Sequence, residues 1–97
     1  MTRELILAPE VEAEVERINQ WWTEHRDKAP RLFLDELESA FRKIVVLPQI
    51  GRPYPGRSNI RSLVLPKTRF QVFYRSTSAQ VHVVVIWSTR FGDKPPL

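Results

Sequence analysis

Hydrophobic positions along the chain change period twice. Residues 2–7, TRELIL, form a short run that ends apolar and predicts a strand. Val11, Val15, Ile18 and Trp22 then recur at helical spacing and predict a helix with one buried stripe. Pro9 suits the first helical position, and Glu10 and Glu12 fall in the first turn, where the helix dipole favours carboxylates. Trp21 lies about 100° round the helix from the stripe, at its edge. Lys28, Ala29 and Pro30 interrupt the pattern. Phe33, Leu37, Ala40, Phe41 and Ile44 define the apolar face of a second helix, which Pro48 should end near Leu47. A link of two or three residues predicts that the helices turn back as an antiparallel hairpin.

Beyond Pro48 the period shortens to two. Pro48 to Gly56 reads as helix termination and a rigid crossover. Residues 60–65, 69–75 and 80–88 read as three strands joined by short turns, hence an antiparallel meander. On the middle strand Phe70, Val72 and Tyr74 share one face, and Arg69, Gln71, Phe73 and Arg75 the other. On the last strand Val81, Val83, Val85 and Trp87 share one face, and Val84 and Ile86 the other. A strand apolar on both faces is expected to be covered on both. The helix pair can cover only one, so Phe73, Val84 and Ile86 are expected to stay partly open, rimmed by arginine. Such a patch predicts a protein partner. Its candidate contacts are Arg61, Arg69, Phe73, Arg75, Val84, Ile86 and Arg90. Residues 92–97 are expected to be loose. The pattern is α+β, and residues 1–97 are expected to form one domain.

Charge sharpens this picture. Residues 1–38 hold ten acids and five bases, whereas residues 39–92 hold nine bases and no acid. A field of one sign over the strand half favours anionic partners. With no cysteine, a disulfide framework and a thiolate metal site are excluded. His25 and His82 are the only imidazoles. One suits a helix C-terminus and the other alternates with core valines, so no metal site is expected. Ser88 and Thr89 have no base near them in sequence. Gly51 and Gly56 serve turns rather than a phosphate loop, and no motif calls for a cofactor. The N-terminus is not patterned as a signal peptide, and the longest apolar run, residues 83–87, is too short to span a bilayer. The expected location is the cytoplasm.

Several of these pieces, in this order, resemble the RelE/ParE toxins of bacterial type II toxin–antitoxin systems. The carriers are Ala8-Pro9-Glu10, Phe33-Leu34-Asp35-Glu36-Leu37, Pro48-Gln49-Ile50-Gly51-Arg52-Pro53 and Ile60-Arg61-Ser62-Leu63. To these are added residues 69–75, RFQVFYR, and Ser88-Thr89-Arg90 at the end of the last strand. The resemblance covers nearly the whole chain. It implies a strand, a helical hairpin and a three-stranded meander, and a cytosolic toxin held inactive by a cognate antitoxin. It implies that operator DNA is contacted mainly through that antitoxin, and that the antitoxin segment is acidic and apolar and folds on the toxin.

The resemblance also implies two possible activities. RelE-like members cut messenger RNA in the ribosomal A site; ParE-like members poison DNA gyrase. RNA cleavage needs a proton acceptor, a proton donor and cations over the phosphate. Arg69 and Arg90 match the arginines of the RelE-like branch. Its lysine positions hold Ile60 and Ser62, and no tyrosine or histidine follows Arg90. A slip of one residue places Arg61 in a lysine slot, where a permanently protonated guanidinium is a poor base. The expectation is therefore ParE-like gyrase inhibition, with catalysis by Arg69, Arg90 and Arg61 on the ribosome as the alternative. The third reading is a chain that has lost toxicity and serves as a binding or autorepression module.

Overall fold

The computed structural model describes residues 2–92, 95 and 97. Strand β1 (Glu4–Leu7) leads through Ala8 into helix α1 (Pro9–His25), and residues 26–31 connect to helix α2 (Leu32–Val46). This link is longer than the two or three residues expected. It is anchored where the Trp22 indole donates to the Ala29 carbonyl at 2.8 Å. A 3-10 turn at Pro48–Ile50 follows, then β2 (Arg52–Tyr54), β3 (Arg57–Val64), β4 (Phe70–Ser76), β5 (Gln80–Ser88) and a second 3-10 turn at Thr89–Phe91.

The five strands form one sheet in the order β1-β5-β4-β3-β2. β1 runs parallel to β5, and every other neighbour is antiparallel. The expected meander is therefore present, extended by β2. The crossover reading of Pro48 to Gly56 is corrected at that point: Arg52 pairs with Ser62 and Pro53 with Arg61. A strand containing proline survives there because it lies at the sheet edge, where a missing amide costs no ladder bond.

Both helices lie on one face of the sheet. Val11, Ile18, Trp22, Phe33, Leu37, Ala40 and Ile44 pack against Leu65, Val72, Tyr74, Val81, Val83 and Ile86. These are the stripes the helical spacing predicts. Burying a side chain of this size contributes roughly 1.5–3 kcal/mol. The Phe33 ring meets Phe70 edge-on at 5.2 Å.

One irregularity reorders β5. Phe73 pairs with Val85, but Tyr74 pairs with Val83, so Val84 has no partner of its own on β4. This bulge shifts the alternation by one residue. Ile86, expected opposite Val83, turns to the same helix-covered face and is 3% exposed. Val85 and Trp87 take the other face, in register with Phe73 and Gln71. Phe73 is not open either: the Tyr54 ring of β2 lies over it edge-on at 5.6 Å, and it is 2% exposed. Of the three residues expected to remain partly open, only Val84 is half-buried. In the tail, positions 93, 94 and 96 lie outside the described residues, and Pro95 is buried rather than loose.

Candidate functional site

β1 is shorter than β5, and the difference opens a groove. Pairing along that side of β5 stops at Leu7 with Val83, because the chain leaves through Ala8 into α1. The edge from Val84 onward is therefore covered by no strand of the sheet. Between it and α1 lies a groove of about 840 Å³. Val11, Ile18, Trp21 and Trp22 form its helical wall, and Val84, Val85, Ile86 and Trp87 its strand wall. Phe70 and Thr68 close one end with Ser88 and Arg90. Glu10, Glu14 and Arg17 stand on the helical wall, with Glu14 and Arg17 ion-paired to each other.

Trp21 is the exposed feature of this wall. It is 42% exposed, stacks on His25 with ring centroids 4.6 Å apart, and carries the Arg26 guanidinium at 5.3 Å. The stack orders an aromatic surface that a partner can use with little entropy cost.

At the end of the groove the turn between β3 and β4 is held tightly. The Glu36 carboxylate accepts from the Lys67 amide, the Thr68 amide and the Thr68 hydroxyl, each at 2.9 Å. The Arg69 amide donates to the Leu65 carbonyl at 2.9 Å. The Arg69 carbonyl in turn accepts from the Thr89 amide at 2.9 Å and its hydroxyl at 2.7 Å. Arg69 is held at a φ of 68°, a left-handed backbone that a side chain disfavours. Strain of this kind persists only where the surroundings over-determine it. The outcome puts Arg69 and Arg90 on neighbouring backbone at one end of the sheet, both exposed.

The seven residues expected at the partner site thus separate. Val84, Ile86 and Arg90 line the groove, and Arg69 adjoins its end. Arg61 and Arg75 line a different cleft of about 230 Å³ with Gln49, Asn59, Tyr74 and Ser76. The Arg61 guanidinium is tied to the Gly51 carbonyl at 2.9 Å and the Gln49 carbonyl at 3.3 Å, so it braces the segment after α2. Phe73 lies under Tyr54. Sequence reasoning missed the helical wall. Trp21 stood outside the helical stripe, which was the available signal.

The acid–base positions are also defined. Ile60 is 3% exposed, and Ser62 is 8% exposed and receives the Gln71 amide at 3.1 Å. The Tyr74 hydroxyl donates to the Pro48 carbonyl at 2.7 Å and accepts from the Gly51 amide at 2.8 Å. Burial raises its pKa above the ordinary value, against smaller lowering effects of the Gly51 amide and Arg61. His82 faces Gln80 at 3.0 Å, beside Arg75 in the sheet.

The family model described as the ParE toxin of the type II toxin–antitoxin system parDE matches residues 5–91. This chain belongs to the ParE toxin family. No curated protein sequence matches it. The chromosomal ParDE toxin–antitoxin system from P. aeruginosa shares the fold, with TM-score 0.69 and 14% identity over 90% of this chain and 96% of that one. A double arginine-to-alanine mutant of the E. coli toxin RelE in the free state is also similar. Its TM-score is 0.65 at 13% identity, covering 94% of this chain and 87% of that one. The β-α-α-β-β-β order expected of a RelE/ParE-like toxin is thus the observed fold, with β2 added. No described helix of this ParE-family chain is long and apolar enough to cross a membrane.

Proposed function

We propose that this ParE-family toxin is neutralised by a cognate antitoxin whose segment lies in the groove between α1 and β5, and that the free toxin inhibits DNA gyrase. The groove carries the first part: an apolar trough with Trp21 at its lip and Arg90 at its end. An apolar segment with a carboxylate near one end fits it, and an extended stretch can add to β5 from Val84 to Ile86. Arg69 lies within reach of the same partner. The P. aeruginosa relative is described as a ParDE system, which supports an antitoxin partner here. Operator DNA is then contacted mainly through the antitoxin, and the complex acts in the cytoplasm.

Gyrase is the preferred target because the family is ParE, the positions expected to hold catalytic lysines carry no acid–base group, and Arg61 is tied to backbone carbonyls. Ile60 and Ser62 are buried, and Tyr74 both donates and accepts. Purified toxin should block supercoiling by gyrase and lose that effect when antitoxin is added. Unaffected supercoiling at micromolar toxin rejects the target. Trp21→Ala should weaken antitoxin binding; an unchanged affinity rejects the groove.

One observation favours a second reading. Arg69 and Arg90 are exposed and come from backbone segments joined through Thr89 at one end of the sheet, a placement from which two guanidiniums can converge on a phosphate. Programmed ribosomes with labelled message test it: A-site cleavage abolished by Arg90→Ala supports an endoribonuclease, and intact message removes it. Absence of growth arrest on induction without the neighbouring antitoxin gene leaves the binding-module reading.

A further inference from the structure

The end of α2 carries an apolar knob apart from the groove. Val46 ends the helix, Leu47 follows it, and the Ile50 amide donates to the Leu47 carbonyl at 3.0 Å. These three side chains are 52%, 59% and 44% exposed. Residues four apart share a helix face, so Arg42 stands beside Val46 and Lys43 beside Leu47. Arg52 follows Ile50 by two positions. Glu38, one turn before Arg42, is engaged by Arg31 at 3.6 Å. Among the described residues no carboxylate forms an ion pair with Arg42, Lys43 or Arg52. The knob is apolar at its centre, with the exposed Arg42 and Lys43 on its helical side and Arg52 two positions beyond it; Lys43 also borders a cleft with Asp35 and Glu36, and none of the knob lines the groove.

Resting on the toxin reading above, we propose that this knob is the surface with which the toxin grips its target protein. The complementary site is an apolar recess edged by carboxylates. Charge and shape favour an acidic, apolar protein site over nucleic acid or a second copy, and the antitoxin is already accommodated by the groove. Unpaired cations steer an approach towards acidic rims and penalise basic ones. Protruding apolar side chains at the centre call for a pocket, which a phosphate backbone does not offer. A second copy of the chain, packed knob to knob, would set Arg42, Lys43 and Arg52 against their own equivalents, an arrangement like charges oppose. Separation from the groove lets the antitoxin bind without using the knob.

The test is made in the full chain with Leu47→Glu/Ile50→Glu and, separately, Arg42→Glu/Lys43→Glu. Growth arrest on induction, antitoxin affinity and sedimentation are measured for each. Both variants should keep wild-type antitoxin affinity, which also reports an intact fold. Both should need at least roughly tenfold more toxin to arrest growth, as expected for loss of interface anchors. Arrest at wild-type levels overturns the inference, because the target then does not use the knob. So does an equal loss of antitoxin affinity, which assigns the knob to the antitoxin. A wild-type dimer dissolved by Leu47→Glu/Ile50→Glu assigns it to a second copy. A wild-type chain that arrests no growth removes the toxin reading itself, and this inference with it.

Discussion

The amide of Gly51 donates to the hydroxyl of Tyr74 across 2.8 Å, linking the segment after α2 to the middle of the sheet. The same hydroxyl donates to the Pro48 carbonyl. Tyr74→Phe should leave two buried backbone groups without their partner and cost about 2 kcal/mol. Urea unfolding of the two proteins measures this directly.

The same phenol gives a pH signature. Its pKa is raised from the ordinary 10.0 by burial. Above that pH the unfolded chain releases the proton while the folded chain keeps it, so the folded state binds more protons and stability falls as pH rises. Below it the contribution is complete. The stability gap between wild type and Tyr74→Phe should therefore be constant from neutral pH to about 10 and narrow above it. A gap that widens with alkali contradicts the burial effect.

Gly51→Ala tests the approach itself. The added Cβ would lie inside contact distance of the Tyr74 hydroxyl and 2.9 Å from the Ser62 carbonyl oxygen. Gly51 has an ordinary extended backbone, with φ −73°, so any loss comes from crowding. A cost of about 1–3 kcal/mol is expected in the same unfolding assay.

Glu36→Ala removes three acceptor contacts from the turn between β3 and β4. Hydrogen bonds to a charged group are the stronger kind, and a loss of roughly 2–3 kcal/mol is expected by thermal or urea unfolding. Faster amide exchange at Lys67 and Thr68 should accompany it. Unchanged exchange there would show that the turn holds without the carboxylate.

Arg69 separates stability from activity. Glycine tolerates the φ of 68° that arginine resists, so Arg69→Gly should unfold no more easily than wild type and gain up to about 1 kcal/mol. Arg69→Ala keeps the strained backbone and should not gain. Both should lower toxicity in a growth assay if the guanidinium contacts a partner. Full toxicity in both makes the strained turn merely structural.

Much of this fold is legible in the residues. The helix bounds follow from Pro9, from the apolar spacing and from Pro48, and three of the strands follow from alternation. β2 stayed hidden because Pro53 speaks against a strand, and only its place at the edge permits one. The bulge at Val84 could not be read either. Alternation counts residues evenly, so an inserted one reverses every later position, and plain alternation places Ile86 on the wrong face. The groove depends on that bulge and on where β1 stops. Its arginine end is legible in the sequence, whereas its tryptophan wall depends on α1 lying beside β5.

The groove joins positions 11–22 to positions 84–90. The groove between them is not complete until the last strand is seated beside the first. A partner that reads both walls therefore recognises completed chains and passes over nascent ones. If the antitoxin is that partner, its binding depends on the finished fold and needs no separate timing device.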